Sequence, residues 1–204
     1  MSIKGTTAIV DYDAGNIFSV KNALDFLGEN CVLTDDKDVL KKADRVILPG
    51  VGAFPAAMES LRKKGLTDVL RECAREKPFL GICLGMQVLF SKGFEFSETE
   101  GLALIPGEVR RIPVTDRVIP HMGWNRLEIK RDCPIVKAGD ENYVYFVHSF
   151  MGFPEEISHL AATVSYGIDV TALVWNGLYT FGAQFHPEKS GETGLEILRR
   201  FVNL

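Results

Sequence analysis

Apolar residues recur along this chain in two rhythms that alternate over its first half. Residues 7–10 (Thr-Ala-Ile-Val) form a short continuous apolar run, the signature of a strand covered on both faces. A turn at Asp13-Ala14-Gly15-Asn16 follows. Ile17, Val20, Ala23, Leu24 and Leu27 then fall on one helical face, with Asn16 placed to cap it. Residues 31–34 predict a second strand, 36–42 a small helix, and 45–48 a third strand ending at Pro49-Gly50. Helical spacing returns over 54–63 and 67–75, and residues 78–82 predict a fourth strand. Strand–helix alternation of this kind predicts an α/β fold in three layers, a largely parallel central sheet with helices on both faces. Sites in such sheets form at the carboxyl ends of strands, where Gly50 and Cys83 both fall.

Past Ser91 the texture changes. Residues 92–106 hold Gly93, Gly101, Pro106 and several carboxylates and read as loop. Short β-rich segments at 108–112, 127–129, 143–147, 161–166 and 171–175, bounded by turn residues, predict a smaller antiparallel extension of the sheet. Residues 179–185 form another strand leading into His186. The last element, 192–202, is a helix that turns Leu195, Ile197, Leu198 and Phe201 toward a core. Without an internal repeat, low-complexity tract or linker, residues 1–204 are expected to form one domain.

Composition narrows the classes. A net charge of -4 offers no general attraction to nucleic acid or anionic membrane. No apolar run approaches the roughly 18 residues of a membrane helix, and Met1 to Gly5 lead directly into a strand without a secretion signal. The expectation is a cytoplasmic protein with no nucleic-acid or membrane partner. Cys31, Cys73, Cys83 and Cys133 lack C-x-x-C spacing, which argues for free thiols and against a zinc site. No metal and no cofactor is expected.

Buried packing accounts for Cys31, Cys73 and Cys133, since cysteine is among the most buried residue types. Cys83 differs. In Phe79-Leu80-Gly81-Ile82-Cys83-Leu84-Gly85-Met86-Gln87 it stands between two glycines where a strand-like run gives way to a helix-like one. A strained strand–turn–helix elbow needs glycine nearby, and it exposes the sulfur at a helix start that favours a thiolate. In Gln184-Phe185-His186-Pro187-Glu188-Lys189-Ser190, His186 and Glu188 would share one side of an extended segment, and Pro187 biases His186 toward that geometry. A carboxylate beside the imidazole holds the tautomer that accepts a thiol proton and stabilises the resulting imidazolium. Nucleophile, base and orienting acid are therefore Cys83, His186 and Glu188. The N–H of Leu84 is the first candidate oxyanion donor, and Pro49-Gly50-Val51-Gly52 supplies a second at Val51. His159, in a polar stretch, is expected at the surface.

These motifs resemble those of the triad-type (class I) glutamine amidotransferases. Finer features are Pro49-Gly50-Val51-Gly52-Ala53-Phe54 (many relatives have a Pro-Gly-Gly form), Pro120-His121-Met122-Gly123-Trp124-Asn125, Tyr145-Phe146-Val147-His148-Ser149-Phe150, and the ending Lys189-Ser190. They are similar to the branch of glutaminase subunits that serve imidazole glycerol phosphate synthases, and the likeness runs from Asp11 to Ser190. The resemblance implies a flavodoxin-like α/β fold and hydrolysis of L-glutamine through a thioester on Cys83. It implies ammonia delivery to a (β/α)8-barrel cyclase subunit in a heterodimer of histidine biosynthesis. It also implies glutamine binding by Gly52, Gln87, Glu95 and the Ser149-Phe150 backbone. Family spacing from Cys83 favours Glu95 over Glu98, although this loop departs from the usual pattern, and Phe150 stands where a tyrosine is common. His121, Trp124, Asn125 and Lys189 are implied interface residues.

Two other readings stay open at this stage. One is a triad amidotransferase serving chorismate or vitamin B6 synthesis, against which His121 to Asn125 and Gly52-Ala53-Phe54 speak. The other is a regulatory or interaction protein that keeps the scaffold, against which the intact Cys83, His186 and Glu188 speak.

Overall fold

The computed structural model describes residues 5–13, 16–137 and 142–204. Its first half follows the predicted alternation: β1 (Thr6–Val10), α1 (Ile17–Phe26), β2 (Asn30–Thr34), α2 (Lys37–Lys42), β3 (Arg45–Gly50), α3 (Phe54–Lys63), α4 (Thr67–Glu76) and β4 (Phe79–Cys83). Asn16 precedes α1 as expected, but its side chain makes no capping bond. Asp36 does cap α2, accepting from the N–H groups of Asp38 and Val39. The Ala14-Gly15 part of the expected turn lies outside the described residues.

After β4 the chain makes a single helical turn, α5 (Leu84–Gln87), and re-enters β structure. The remaining elements are β5 (Phe90–Gly93), β6 (Thr99–Glu100), β7 (Ile105–Arg111), β8 (His121–Arg126), β9 (Glu128–Ile129), β10 (Tyr143–His148), β11 (Phe150–Pro154), β12 (Leu160–Ser165), β13 (Asp169–Trp175), β14 (Thr180–Ala183) and α6 (Gly191–Phe201). The principal sheet runs β2-β1-β3-β4-β14-β13-β12-β9. Its first five strands are mutually parallel, and pairing turns antiparallel from β14 to β13 onward. The antiparallel extension expected from the sequence is present.

Two features depart from expectation. Residues 92–106, read as loop, contain the end of β5, all of β6 and the start of β7. The β-rich middle also builds two further sheets, β11-β7-β5-β6 and β10-β8, where a single extension was expected. Both differences share a cause. Short strands rich in glycine and polar residues carry almost no period-2 signal, and their pairing partners lie tens of residues away.

Alternation along the parallel strands divides the interior. Ile9, Ile47, Leu80 and Ile82 point to one face, where they meet Val20 and Leu24 of α1 and Ile197, Leu198 and Phe201 of α6. Ala8, Val10, Val46, Leu48 and Phe79 point to the other, against Leu40 of α2, Met58 and Leu61 of α3, and Val69 and Leu70 of α4. Burial on both faces explains why β3 and β4 read as unbroken apolar runs. Among the described residues, no helix is long and apolar enough to cross a membrane.

The β4–α5 junction depends on close backbone approach. A Cβ on Gly85 would lie inside the van der Waals shell of the Leu48 carbonyl oxygen, and one on Gly81 would meet the Gly85 carbonyl. Gly85→Ala must therefore push α5 off the end of β3. We expect a loss of about 3 kcal/mol or more in unfolding free energy by denaturant titration; a loss under about 1 kcal/mol would show that the contact is not rigid.

Candidate active site

Cys83 closes β4 with φ 54° and ψ -111°, a positive-φ conformation for a residue with a side chain. Such a backbone costs about 1–3 kcal/mol and persists only where its surroundings hold it. Here the holders are the glycines on either side and the buried side chains of Ile82, Leu84 and Met86. The elbow therefore forms as the glycine pattern suggested. The helical run behind it is one turn only, so an extended helix does not reinforce the sulfur.

Neighbouring strands deliver the rest. The β3–β4 register places Gly50 beside Cys83. The parallel β14–β4 register pairs Ala183 with Ile82, so the next residue, Gln184, comes level with Cys83. His186 follows two residues later. It is anchored from β10, where its N–H donates to the Tyr145 carbonyl at 3.0 Å. Ser190 ties the same region by donating its hydroxyl to the His186 carbonyl at 2.6 Å and accepting from the Tyr145 N–H at 3.0 Å.

His186 Nδ1 lies 2.8 Å from Glu188 Oε1, and both side chains are almost wholly buried. Their spacing predicts one shared side of an extended segment. In the structure residues 187–189 form a 3-10 turn, and the turn folds the carboxylate back under the imidazole. His186 Nε2 is buried without a partner in strict hydrogen-bond geometry, on the side where Cys83 acts on the ring. Burial alone would lower the His186 pKa. The Cys83 sulfur and the Glu188 carboxylate outweigh it and raise the value from 6.5 to about 9.

Cys83 and His186 open onto a cavity of ≈ 320 Å³. The oxyanion candidates Val51 and Leu84 line it, as do all the residues implied in glutamine binding: Gly52, Gln87, Glu95, Ser149 and Phe150. The Glu95 carboxylate also accepts from the Phe54 N–H at 2.8 Å, which fixes it at the start of α3. Of the implied interface residues, Trp124 is 54% exposed and Lys189 is exposed, while Asn125 is half-buried. His121 is a correction. It is fully buried, stacked between Phe146 and Tyr166, and has no surface to offer a partner. His159 is half-buried rather than open to solvent.

Gln184 and His148, to which the motifs assign no role, also belong to this region. Gln184 is fully buried, donates to the Cys83 sulfur at 3.8 Å and accepts from Gln87 Nε2 at 3.2 Å. His148 lines the cavity and bonds the Phe150 carbonyl at 2.8 Å. An amide inside the apolar run 180–185 was the available signal, because a buried polar group in a central strand must find a partner.

Chemically, a buried thiol beside an imidazole backed by a carboxylate can form a thiolate–imidazolium pair, attack a carbonyl and return a proton to a leaving amine. Fold and site together define a thiol-dependent acyl-transfer or hydrolytic enzyme of the triad type. The family model for class I glutamine amidotransferases matches residues 8–204, and the chain belongs to that family. A curated relative from Listeria monocytogenes serotype 4a (strain HCC23), imidazole glycerol phosphate synthase subunit HisH, is 50% identical over 196 residues, 95% of this chain and 93% of the relative. The protein of the same description from Bacillus cytotoxicus is 50% identical over 197 residues, 95% of this chain and 92% of its own length. In fold, the chain superposes on a solved glutamine amidotransferase with TM-score 0.76 at 21% identity, covering 96% of this chain and 97% of that one. It superposes on PurLQS from Thermotoga maritima with TM-score 0.74 at 19% identity, covering 98% and 99%.

Two predictions follow from the ionisation of these histidines. Replacing Glu188 with Gln removes one of the groups that raise the His186 pKa, so that pKa should fall from about 9. Turnover should drop by about 10⁴, the scale for losing the orienting acid of a triad. Imidazole NMR titration and steady-state rates read the two effects, and an unchanged His186 titration would refute the electrostatic account. The second concerns acid. Burial lowers the pKa of both His121 and His148 from 6.5 to about 4. The unfolded chain takes up their protons below pH 6.5 and the folded chain does not, so stability must fall as pH drops from 6.5 toward 4. His186, with its raised pKa, works in the opposite sense: its contribution is present below pH 6.5 and lost as pH rises through 9. Urea midpoints between pH 7 and 5 should fall less steeply in His121→Phe; an equal slope would contradict the linkage.

Proposed function

We propose that the chain is the glutaminase subunit of imidazole glycerol phosphate synthase. It hydrolyses L-glutamine to glutamate and ammonia, and the ammonia passes to a (β/α)8-barrel cyclase subunit. That subunit makes imidazole glycerol phosphate and aminoimidazole carboxamide ribotide in histidine biosynthesis. The observation that carries the reading is the cavity itself. It holds Cys83 on its strained elbow with His186 and Glu188 behind it, in a chain half-identical along nearly all its length to proteins described as that subunit.

In this reading the Cys83 sulfur attacks the carboxamide carbon of glutamine. The oxyanion meets the N–H of Leu84 and, after rotation of the Gly50-Val51 peptide, that of Val51. His186, held by Glu188, gives its proton to the departing ammonia, leaving a thioester. The same imidazole then takes a proton from water, whose oxygen attacks the thioester and frees glutamate. Gly52, Gln87, Glu95, Ser149 and Phe150 surround the substrate, with Glu95 suited to its ammonium group.

The docking face for the cyclase is the outer side of β8 and β10. Met122 is 60% exposed, Trp124 54% and Tyr143 55%, and the pairing of β8 with β10 sets Trp124 beside Tyr145 and Met122 beside Val147. An exposed aromatic and apolar surface of this kind next to a site suits a protein partner. Direct transfer has a chemical reason: ammonia released into neutral water takes up a proton and stops being a nucleophile.

Glutamate release should be slow for the purified chain and should rise when a cyclase subunit and its nucleotide substrate are added; no rise would reject the assignment. Cys83→Ala should abolish glutamine-dependent cyclisation in the complex and spare turnover supported by ammonium salt. A surviving glutamine-dependent rate would mean that the nucleophile lies elsewhere.

A further inference from the structure

We propose that His121 and His148 are positioning residues: with Asn125 they form a one-way hydrogen-bond relay that holds the Phe150 carbonyl and Gln87 in the cavity wall and so sets the affinity for glutamine. Only the identity of the ligand rests on the function proposed above.

The direction of the relay follows from donor and acceptor chemistry. His148 Nδ1 lies 2.8 Å from the Phe150 carbonyl oxygen. A carbonyl only accepts, so Nδ1 carries the proton. His148 is neutral, since burial holds its pKa near 4; its Nε2 is therefore bare and must accept. The atom 3.0 Å away is His121 Nδ1, which must donate. His121 is also kept neutral by burial, so its Nε2 in turn accepts, from Asn125 Nδ2 at 2.8 Å. Every proton in the chain is thus assigned, and both imidazoles are Nδ1–H tautomers.

The far end reaches the catalytic groups. The same Phe150 oxygen accepts from Gln87 Nε2 at 3.2 Å, and the second hydrogen on that nitrogen goes to Gln184 Oε1, also at 3.2 Å. Gln184 Nε2 donates to the Cys83 sulfur at 3.8 Å. With both Nε2 hydrogens committed, Gln87 turns a fixed face to the cavity and keeps Oε1 for a ligand. Stacking fixes the middle: the His121 ring lies 4.8 Å from Phe146 and 4.1 Å from Tyr166, nearly parallel to both. Asn125 begins the relay on β8, the strand that also presents Trp124, so the proposed docking face and the glutamine-binding wall form one bonded unit.

The test compares His121→Asn with His121→Phe, assayed with L-glutamine in the presence of the cyclase subunit. Asparagine places an N–H where Nδ1 stood, whereas phenylalanine keeps the stacking and loses the donor. The relay predicts that His121→Phe raises the glutamine KM about 3- to 10-fold, the worth of one buried hydrogen bond. It predicts that kcat changes less than about twofold and that His121→Asn restores KM. A packing role alone predicts the reverse order, with Phe closer to wild type than Asn, and that result overturns the proposal. Long-range ¹H–¹⁵N spectra of the imidazoles decide the matter even if a variant fails to fold. Wild type should show Nδ1–H tautomers at both His121 and His148, and Asn125→Asp should place a proton on His121 Nε2. An Nε2–H tautomer at either histidine in wild type refutes the relay. These spectra need no substrate, so absence of glutamine turnover in wild type would reject the glutaminase reading and leave the relay to be judged on its own.

Discussion

The approach of the one-turn helix α5 to the end of β3 is the contact on which the rest of the site depends. Gly85 lies against the Leu48 carbonyl and Gly81 lies under Gly85, and neither position has room for a side chain. That contact forces the chain to turn sharply at Cys83 and leaves its backbone at positive φ. The strain is small beside the apolar burial on both faces of the sheet, which holds the turn in place. The register of the flanking strands then decides what surrounds the sulfur: Gly50 on one side and Gln184 on the other.

Strand β14 joins two kinds of structure. On one edge it runs parallel to β4 and belongs to the helix-covered α/β half; on the other it runs antiparallel to β13. The cysteine and the oxyanion segment come from the parallel half. The imidazole comes from the end of β14 and is tied to β10, in a separate two-stranded sheet. The same β10, with β8, carries the exposed aromatic surface. A partner pressing on that surface would therefore act on strands bonded directly to the base of the proposed reaction.

Three buried histidines lie close together and ionise differently, and their partners explain the contrast. His186 has a carboxylate on one side and a thiol on the other, so the charged form is favoured despite burial. His121 and His148 bond each other, an amide and a carbonyl, with no carboxylate among the described residues, and burial keeps them neutral; the nearby His186 also disfavours charge on His148. A cation at His186 beside neutral rings at His148 and His121 confines the charge to the reacting end of the network.

The parallel half of the fold was legible in the sequence because strands buried on both faces and amphipathic helices carry strong periodic signals. The elbow was legible for a related reason: a cysteine between glycines at a strand end admits few conformations. The small sheets were not legible, since short strands such as β8 and β11 gain their stability from partners distant in the chain. Glu188 was assigned to His186 from spacing, yet a 3-10 turn brings them together, not the extended geometry that the spacing suggested. Burial decided His121: its motif resembled an interface signature, and only the packing of Phe146 and Tyr166 around it shows that the ring faces inward. By itself the sequence determined which chemical groups are present and the local backbone that exposes the sulfur. Tertiary structure alone decided which groups share a hydrogen bond and which are cut off from water, because both depend on contacts between residues as far apart as Cys83 and Gln184.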